Sequence, residues 1–455
     1  MTLTNDQAPG VPAASISSSP DDGAAAHTES PLILHPLRLE AAPERVVIRP
    51  FHLGWQDSNT PSPRARRLVA DVLALSREEV RHEYSQMLDE FDDRHWRIEA
   101  VFDERFGQVS NGMEIPSNIS MTRKRLIGAY FCHEYSYAAA ALMNPSVVEH
   151  PNQTGLKNGA KRFVMSMRSV GEGHISTIAF REGIIDADGA FDLWPEPSIA
   201  SSAQSDPCAA VANDEPVQIF RHEESTLSGT VIFPVTEAQR GGLEDLRLVR
   251  FNHGKGDYEW VGTYTAYSGR EIRSELMRTR DFRTFTLEPI HGKAGRNKGM
   301  ALFPKRIDGK YVMLGRQDGK NLFLLHSDKL DTWDDDGTLL IEPKYPWEFI
   351  QIGNCGSPIL CDEGWLVLTH GVGAMRKYSI GALLLDAKDP SKVLGRSVTP
   401  LLAARDNDRA GYVPNVVYSC GGMRVGNTLF LPYGLSDSAI GFATASIADV
   451  VATLR

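Results

Sequence analysis

The five cysteines among 455 residues (Cys132, Cys208, Cys355, Cys361, Cys420) are few, odd in number and scattered. They make no CxxC pair, which argues against a disulfide framework or a zinc knuckle and fits a reducing, cytoplasmic setting. Long apolar runs are missing as well. No stretch of about 18 apolar residues occurs, so no membrane-spanning helix is expected. The first 37 residues hold neither Lys nor Arg nor a long apolar stretch, which argues against a secretory leader. Nor is there a basic surplus: 48 Lys and Arg stand against 58 Asp and Glu, a net charge of −10. Sequence-independent nucleic-acid binding relies on surplus cations, so neither nucleic acid nor membrane is an expected partner. Alternation of the βαβ kind is lacking, which disfavours a doubly wound parallel sheet.

What is present is ordinary globular material, 42% hydrophobic and 23% charged. Residues 1–30 are rich in Ala, Ser, Pro, Asp and Gly and read as a disordered tail, unable to bury enough surface to offset ordering entropy. Residues 31–130 read as an N-terminal extension carrying a helix pair. Leu68, Val72 and Leu75 share one helical face; Ser76 with Glu79 gives a capping box. Val80, Tyr84, Met87, Leu88, Phe91 and Ile98 then follow at helical spacing. This stripe would pack on the rest of the chain or on a second subunit, making a homo-oligomer one expectation. The segment RPFHLGWQDSN (49–59), with His52, Trp55 and Gln56, stands before the helices.

From about residue 131 the texture is all-β. RFVMSMRSV (162–170), DYEWVGTYTAY (257–267), KYVMLGR (310–316), GWLVLTHGV (364–372) and IGALLLD (380–386) have strand length and composition. A unit of strands ending in D-x-W/F or DG returns about every 50 to 60 residues, as in DFRTF (281–285) and DTWDDDG (331–337). Repeated antiparallel units over 131–455 predict a five-bladed β-propeller, in which polar residues from different blades face one central pocket.

Four segments carry the chemistry. GGLEDLRLVRF (241–251) sets Glu244, Asp245 and Arg247 at a strand start, a pattern that a solvated turn also shows. GRNKGMALFPKRIDGKYVMLGRQDG (295–319) brackets a strand pair with basic and amide residues. GNCGSPILCDEGWLVLTHGVG (353–373) ends a strand in Thr369-His370-Gly371, and YGLSDSAIGFATASI (433–447) places Asp437 in a loop. Tyr264 and Tyr267 offer either a sugar-stacking face or strand packing.

In this order the four segments, with MNPSVV (143–148) and FVMSMRSVGEGHISTIAF (163–180) upstream, resemble glycoside hydrolase family 130. That family holds β-mannoside phosphorylases and β-1,2-mannosidases and folds as a five-bladed propeller. The resemblance implies inverting cleavage of a β-mannoside, with Asp245 as proton donor acting through the 3-hydroxyl of the mannose. It implies Asn144, Arg168 and Asp437 as sugar-binding residues, and Lys298, Arg316, His370 and Tyr378 as holders of phosphate, which suits cationic donors. The expected partners are thus a β-mannoside or mannooligosaccharide and inorganic phosphate as co-substrate, with no cofactor and no metal. Two departures stand out. Leu246 replaces a common proline, and Leu360 replaces a lysine of the phosphorylases. The second leaves hydrolysis open, with Glu348, Asp362 or Glu363 as local carboxylates to activate water. A non-catalytic carbohydrate- or protein-binding propeller is the remaining alternative.

Overall fold

The computed structural model describes residues 30–51, 61–111, 113–205 and 214–455. The tail reading over 1–30, apart from Ser30, lies outside these residues, as do His52, Trp55, Gln56 and Cys208.

The chain is mostly β, and the period-2 pattern explains how. In the strand Lys161–Val170, Phe163, Met165 and Met167 face one core cluster while Val164 faces another. The second face then passes through Ser166 to Arg168, so a buried strand delivers a cation at its end. Its neighbours Ala141–Glu149 and Ser176–Ile185 pair with it antiparallel. The strands Gly242–Gly254, Asp257–Tyr267, Ile272–Thr279 and Thr284–Pro289 make the next antiparallel run. A four-stranded sheet follows: Ala301–Leu302, Tyr311–Gly315, Leu322–Ser327 and Thr338–Ile341. After it, Gln351–Asn354, Trp365–Val372, Tyr378–Leu385 and Val393–Arg396 form another run. In the last sheet Ala439–Ser446 pairs with Thr428–Leu435 on one side. On its other side it pairs with Ile33–Leu39, the first described strand of the chain.

The recurrent D-x-W/F signal has a structural cause. DFRTF fills the turn between the strands Ile272–Thr279 and Thr284–Pro289, and Phe282 and Phe285 are buried. DTWDDDG fills the equivalent turn of the next sheet, with Trp333 buried and its indole N–H donated to the Leu330 carbonyl at 2.7 Å. Each signal closes a third strand and plants an aromatic ring in the core.

The helical region is larger than a pair. Pro63–Ala74, Arg77–Phe91, Ile98–Ser110 and Met121–Tyr130 are all α-helical. The predicted capping box forms: the Ser76 N–H donates to Glu79 Oε2 at 2.7 Å, and the Glu79 N–H donates to Ser76 Oγ at 3.2 Å. The expected second helix is interrupted after Phe91, because His95 turns inward to the Glu134 carboxylate at 2.6 Å and Arg97 adopts a left-handed φ of 49°. The apolar stripe continues across that break, which is why the periodicity reads as unbroken. Val72, Val80, Tyr84, Phe102, Leu126 and Ile127 meet in one core cluster, against which Ile48 and Cys132 also pack. The stripe is therefore covered by the chain itself. Among the described residues no helix is long and apolar enough to cross a membrane.

Candidate active site

Two bulges build the site. Glu244 pairs with Thr265 and Arg247 with Thr263, so Asp245 and Leu246 together oppose one residue. Likewise Met143 pairs with Arg168 and Ser146 with Ser166, leaving Asn144 and Pro145 opposite one residue. A bulge re-aims a side chain without ending the strand, and it tolerates a proline inside the sheet. At both bulges the backbone enters the left-handed region, with φ 49° at Asn144 and 56° at Asp245. Ser436 and Asp437, in the turn between the last two strands, have φ 48° and 49°. Non-glycine residues rarely adopt this conformation, and such strain gathers at functional sites. Three of the residues singled out in the sequence share it.

Their side chains converge. Asn144 Nδ2 donates to Asp245 Oδ1 at 2.7 Å. Arg168 donates from NH1 to the same oxygen at 3.3 Å and from NH2 to Glu244 Oε1 at 2.8 Å. Asn144 Oδ1 is buried with no protein partner. Burial acts to raise the pKa of Asp245. Arg168, Arg247, the Asn144 hydrogen bond and Lys298 outweigh it, so the carboxyl sits below its ordinary value. Glu244 shifts the other way: burial, reinforced by the Asp245 charge, lifts its pKa despite Arg168. Asp437 is pushed up to about 6, first by burial and then by the Asp245 charge. One arginine thus sits among three carboxylates that titrate differently.

Opposite this cluster lies a cavity of about 30 Å³ lined by Asp245, Arg247, Lys298, Arg316, Asn354 and His370, among others. Lys298 and Arg316 have no carboxylate within ion-pair distance among the described residues. Arg247 is buried and spends its donors on the Asp245 carbonyl (3.0 Å) and the Tyr418 hydroxyl. Its Nε has no partner. His370 is neutral. Burial, then Arg316 and Arg247, pull it down to about 3. Its Nδ1 lies 3.0 Å from the Asn354 carbonyl, so that nitrogen carries the proton, and its Nε2 lies 3.2 Å from Gln351 Nε2. A β-carbon at Gly353 would stand 2.5 Å from His370 Cε1, so only glycine leaves room for the ring.

The structure thus brings Asp245, Asn144, Arg168 and Asp437 together, and sets Asp245, Lys298, Arg316 and His370 around one cavity. Tyr378 does not line that cavity; it stacks on His370 with centroids 5.9 Å apart and 19° between planes. Leu360 lies outside it and is exposed. Glu348 is buried in ion pairs with Arg396 at 2.7 and 2.8 Å, while Asp362 and Glu363 are exposed; none reaches the cavity. Tyr264 is a core residue hydrogen-bonded to Glu275 and Gln239. Sequence reasoning missed Asn354 and Tyr418, which arrive from strands more than 100 residues from Asp245 and carry no local signal.

Comparison with known proteins bears on the family and the fold. The family model described as β-1,4-mannooligosaccharide phosphorylase, glycoside hydrolase family 130, matches residues 214–455. The chain belongs to glycoside hydrolase family 130. The 1,2-β-oligomannan phosphorylase of Thermoanaerobacter sp. is 34% identical over 219 residues, 47% of this chain and 72% of that one. The β-1,2-mannobiose phosphorylase of Listeria innocua is 31% identical over 230 residues, 49% of this chain and 63% of that one. A crystal structure of a candidate glycoside hydrolase from Parabacteroides distasonis superposes with a TM-score of 0.50 at 19% identity, covering 69% of this chain and 89% of that one. That likeness speaks for the fold alone. In this family 130 chain the matched region contains Asp245, Arg247, Lys298, Arg316, His370 and Asp437, whereas Asn144 and Arg168 lie upstream of it.

Proposed function

We propose that this chain is a β-mannoside phosphorylase that releases α-mannose 1-phosphate with inversion. The observation carrying this reading is the cavity in which Lys298 and Arg316, two cations without carboxylate partners among the described residues, face the half-buried Asp245. An unneutralised cationic wall beside a carboxyl suits an anionic nucleophile. The characterised relatives are named as phosphorylases of mannosides. The architecture supporting it is a five-bladed propeller. The five successive antiparallel runs fit this, as does the pairing of Ile33–Leu39 with Ala439–Ser446, which would close a ring.

In this mechanism Asp245 gives its proton toward the glycosidic oxygen, relayed by the mannose 3-hydroxyl. A phosphate oxygen forms the new bond to the anomeric carbon from the opposite face as the glycosidic bond breaks. Lys298 and Arg316 hold the phosphate. Asn144, Arg168 and Asp437 hold the mannose hydroxyls, with Asn144 Oδ1 free to accept one. The free site favours ionised Asp245, because Arg168, Arg247 and Lys298 lie near it. Bound phosphate takes up those charges and places its own beside Asp245, which raises the carboxyl toward its acid form. The neutral His370 orients the phosphate pocket and adds no charge, and Tyr378 fixes its ring.

Hydrolysis by water is disfavoured because Glu348, Asp362 and Glu363 all lie away from the cavity. Incubation with β-1,2- and β-1,4-linked mannosides, with and without phosphate, tests the proposal. Sugar phosphate formed only with phosphate supports it. Free mannose formed at the same rate without phosphate defeats it.

A further inference from the structure

A second cavity, of about 350 Å³, lies between the helical region and the β-sheets and shares no lining residue with the Asp245 cavity. Its walls bring together Arg49 from the strand Val46–Pro50, Arg105 from the helix Ile98–Ser110, and the Ser201–Ser205 segment. Trp96 and His222 close one side, their rings 4.3 Å apart.

The two arginines are under-compensated. Arg105 is buried; it donates from Nε to the Phe131 carbonyl at 2.9 Å and from NH1 to Gln108 Oε1 at 2.7 Å. Arg49 donates from NH1 to Ser202 Oγ at 3.2 Å and lies over the Phe233 ring at 4.0 Å. Neither has a carboxylate within ion-pair distance among the described residues. The Glu134 carboxylate is taken by His95 and Arg94. Glu104, at the exposed rim, is engaged by Gln108 and Gln204 side chains. Burial draws Arg49 down to about 10; Tyr135 opposes it, and Arg105 adds to it in smaller measure. Burial lowers Arg105 also. An uncompensated buried charge is costly unless something pairs with it.

We propose that this cavity is a binding site for a small organic phosphate, distinct from the candidate active site. Two guanidinium charges, with Arg105 NH2 left over from its protein hydrogen bonds, match a phosphate monoester dianion better than a single carboxylate charge, and Ser202 Oγ lies beside Arg49. The volume is that of a small-ligand pocket and exceeds what inorganic phosphate fills. The Trp96 and His222 rings, tilted 56° to each other, offer aromatic surface to the organic part.

Glucose 6-phosphate, which is no product of the proposed reaction, serves as the probe in calorimetric titration of the full chain. One site is expected in the parent. Arg49→Met should weaken it about tenfold or more, the loss of a hydrogen bond to a charged group, while Arg316→Ala should leave it unchanged. Because Arg105 anchors the helix region, the second variant is Glu104→Gln at the exposed rim, which should tighten binding several-fold by removing a competing charge. Inorganic phosphate should bind this site more weakly than the monoester. No binding of glucose 6-phosphate, loss of it in Arg316→Ala, indifference to both Arg49→Met and Glu104→Gln, or equal binding of inorganic phosphate there would each overturn the proposal.

Discussion

The two sides of the site around Asp245 are built by opposite means. On the carboxylate side, Asn144 and Asp245 sit on bulges and Asp437 in a turn, all with left-handed backbone. On the cationic side, His370 belongs to a hairpin whose register runs unbroken from Trp365↔Leu385 to Val372↔Tyr378. Arg316 follows directly on the regular strand Tyr311–Gly315. The carboxylate wall is cross-linked by hydrogen bonds of 2.7, 2.8 and 3.3 Å, whereas the cations Lys298 and Arg316 have no ionic partner among the described residues. The difference has a physical reason. A group that delivers a proton needs a fixed position within hydrogen-bond reach of its target. A group that holds an anion through charge needs mainly to remain unneutralised.

Removing the charge on the strained wall should have the largest effect. Asp245→Asn keeps the bulge and the shape but cannot give a proton, and general acid catalysis is worth about 10²- to 10⁴-fold. Phosphate-dependent release of sugar phosphate should fall by that much; retained turnover would remove Asp245 from the mechanism. The cationic wall should respond in a different parameter. Arg316→Ala should raise KM for phosphate about 10- to 100-fold, the loss of a charge-assisted hydrogen bond, with KM for the mannoside nearly unchanged. If both constants rose together, the two walls would not be separate devices. Next comes the packing behind the cations. Gly353→Ala places a methyl 2.5 Å from His370 Cε1 and should displace the ring, costing a few-fold in kcat/KM for phosphate. An unaltered phosphate dependence would show that the ring position is immaterial.

The same contrast divides what the sequence disclosed from what it concealed. Lys298, Arg316 and His370 were singled out because they stand in motifs whose order resembles the family; His370 lies on a regular strand and Arg316 directly after one, whereas Lys298 lies in a bend ahead of Ala301–Leu302. The place of Asp245 in the LEDLR motif was readable in the same way. Its geometry was not, since LEDLR shows no sign that Asp245 and Leu246 together face one partner residue. Proline at position 145 was a local hint of the first bulge. The charge state of His370 was hidden as well: it depends on Asn354, Arg316 and burial, none of them adjacent in sequence. In the helical region the capping box at Ser76 was legible, but the inward turn at His95 was not, because it answers to Glu134 across the fold.

The smallest expected effect concerns pH and tests whether the carboxylate wall is held at a cost. The carboxyl of Asp437 is lifted to about 6 from the ordinary 3.8, chiefly by burial and then by the charge of Asp245. A raised acid binds its proton more tightly folded than unfolded, so its contribution to stability is most favourable below pH 3.8. It declines as pH rises toward 6, and the penalty persists above that. Asp437→Asn is neutral throughout and escapes this decline. Melting temperatures of parent and variant, followed from pH 4 to pH 8, should therefore diverge, with the variant gaining a few degrees at the upper end and little at the lower. Mannoside KM should rise in the same variant, because a carboxylate acceptor of sugar hydroxyls has been replaced by an amide. Parallel melting curves would mean that Asp437 titrates as an ordinary surface aspartate. The left-handed turn at Ser436 and Asp437 would then be strain without an electrostatic purpose, and the distinction between the two walls would rest on the bulges alone.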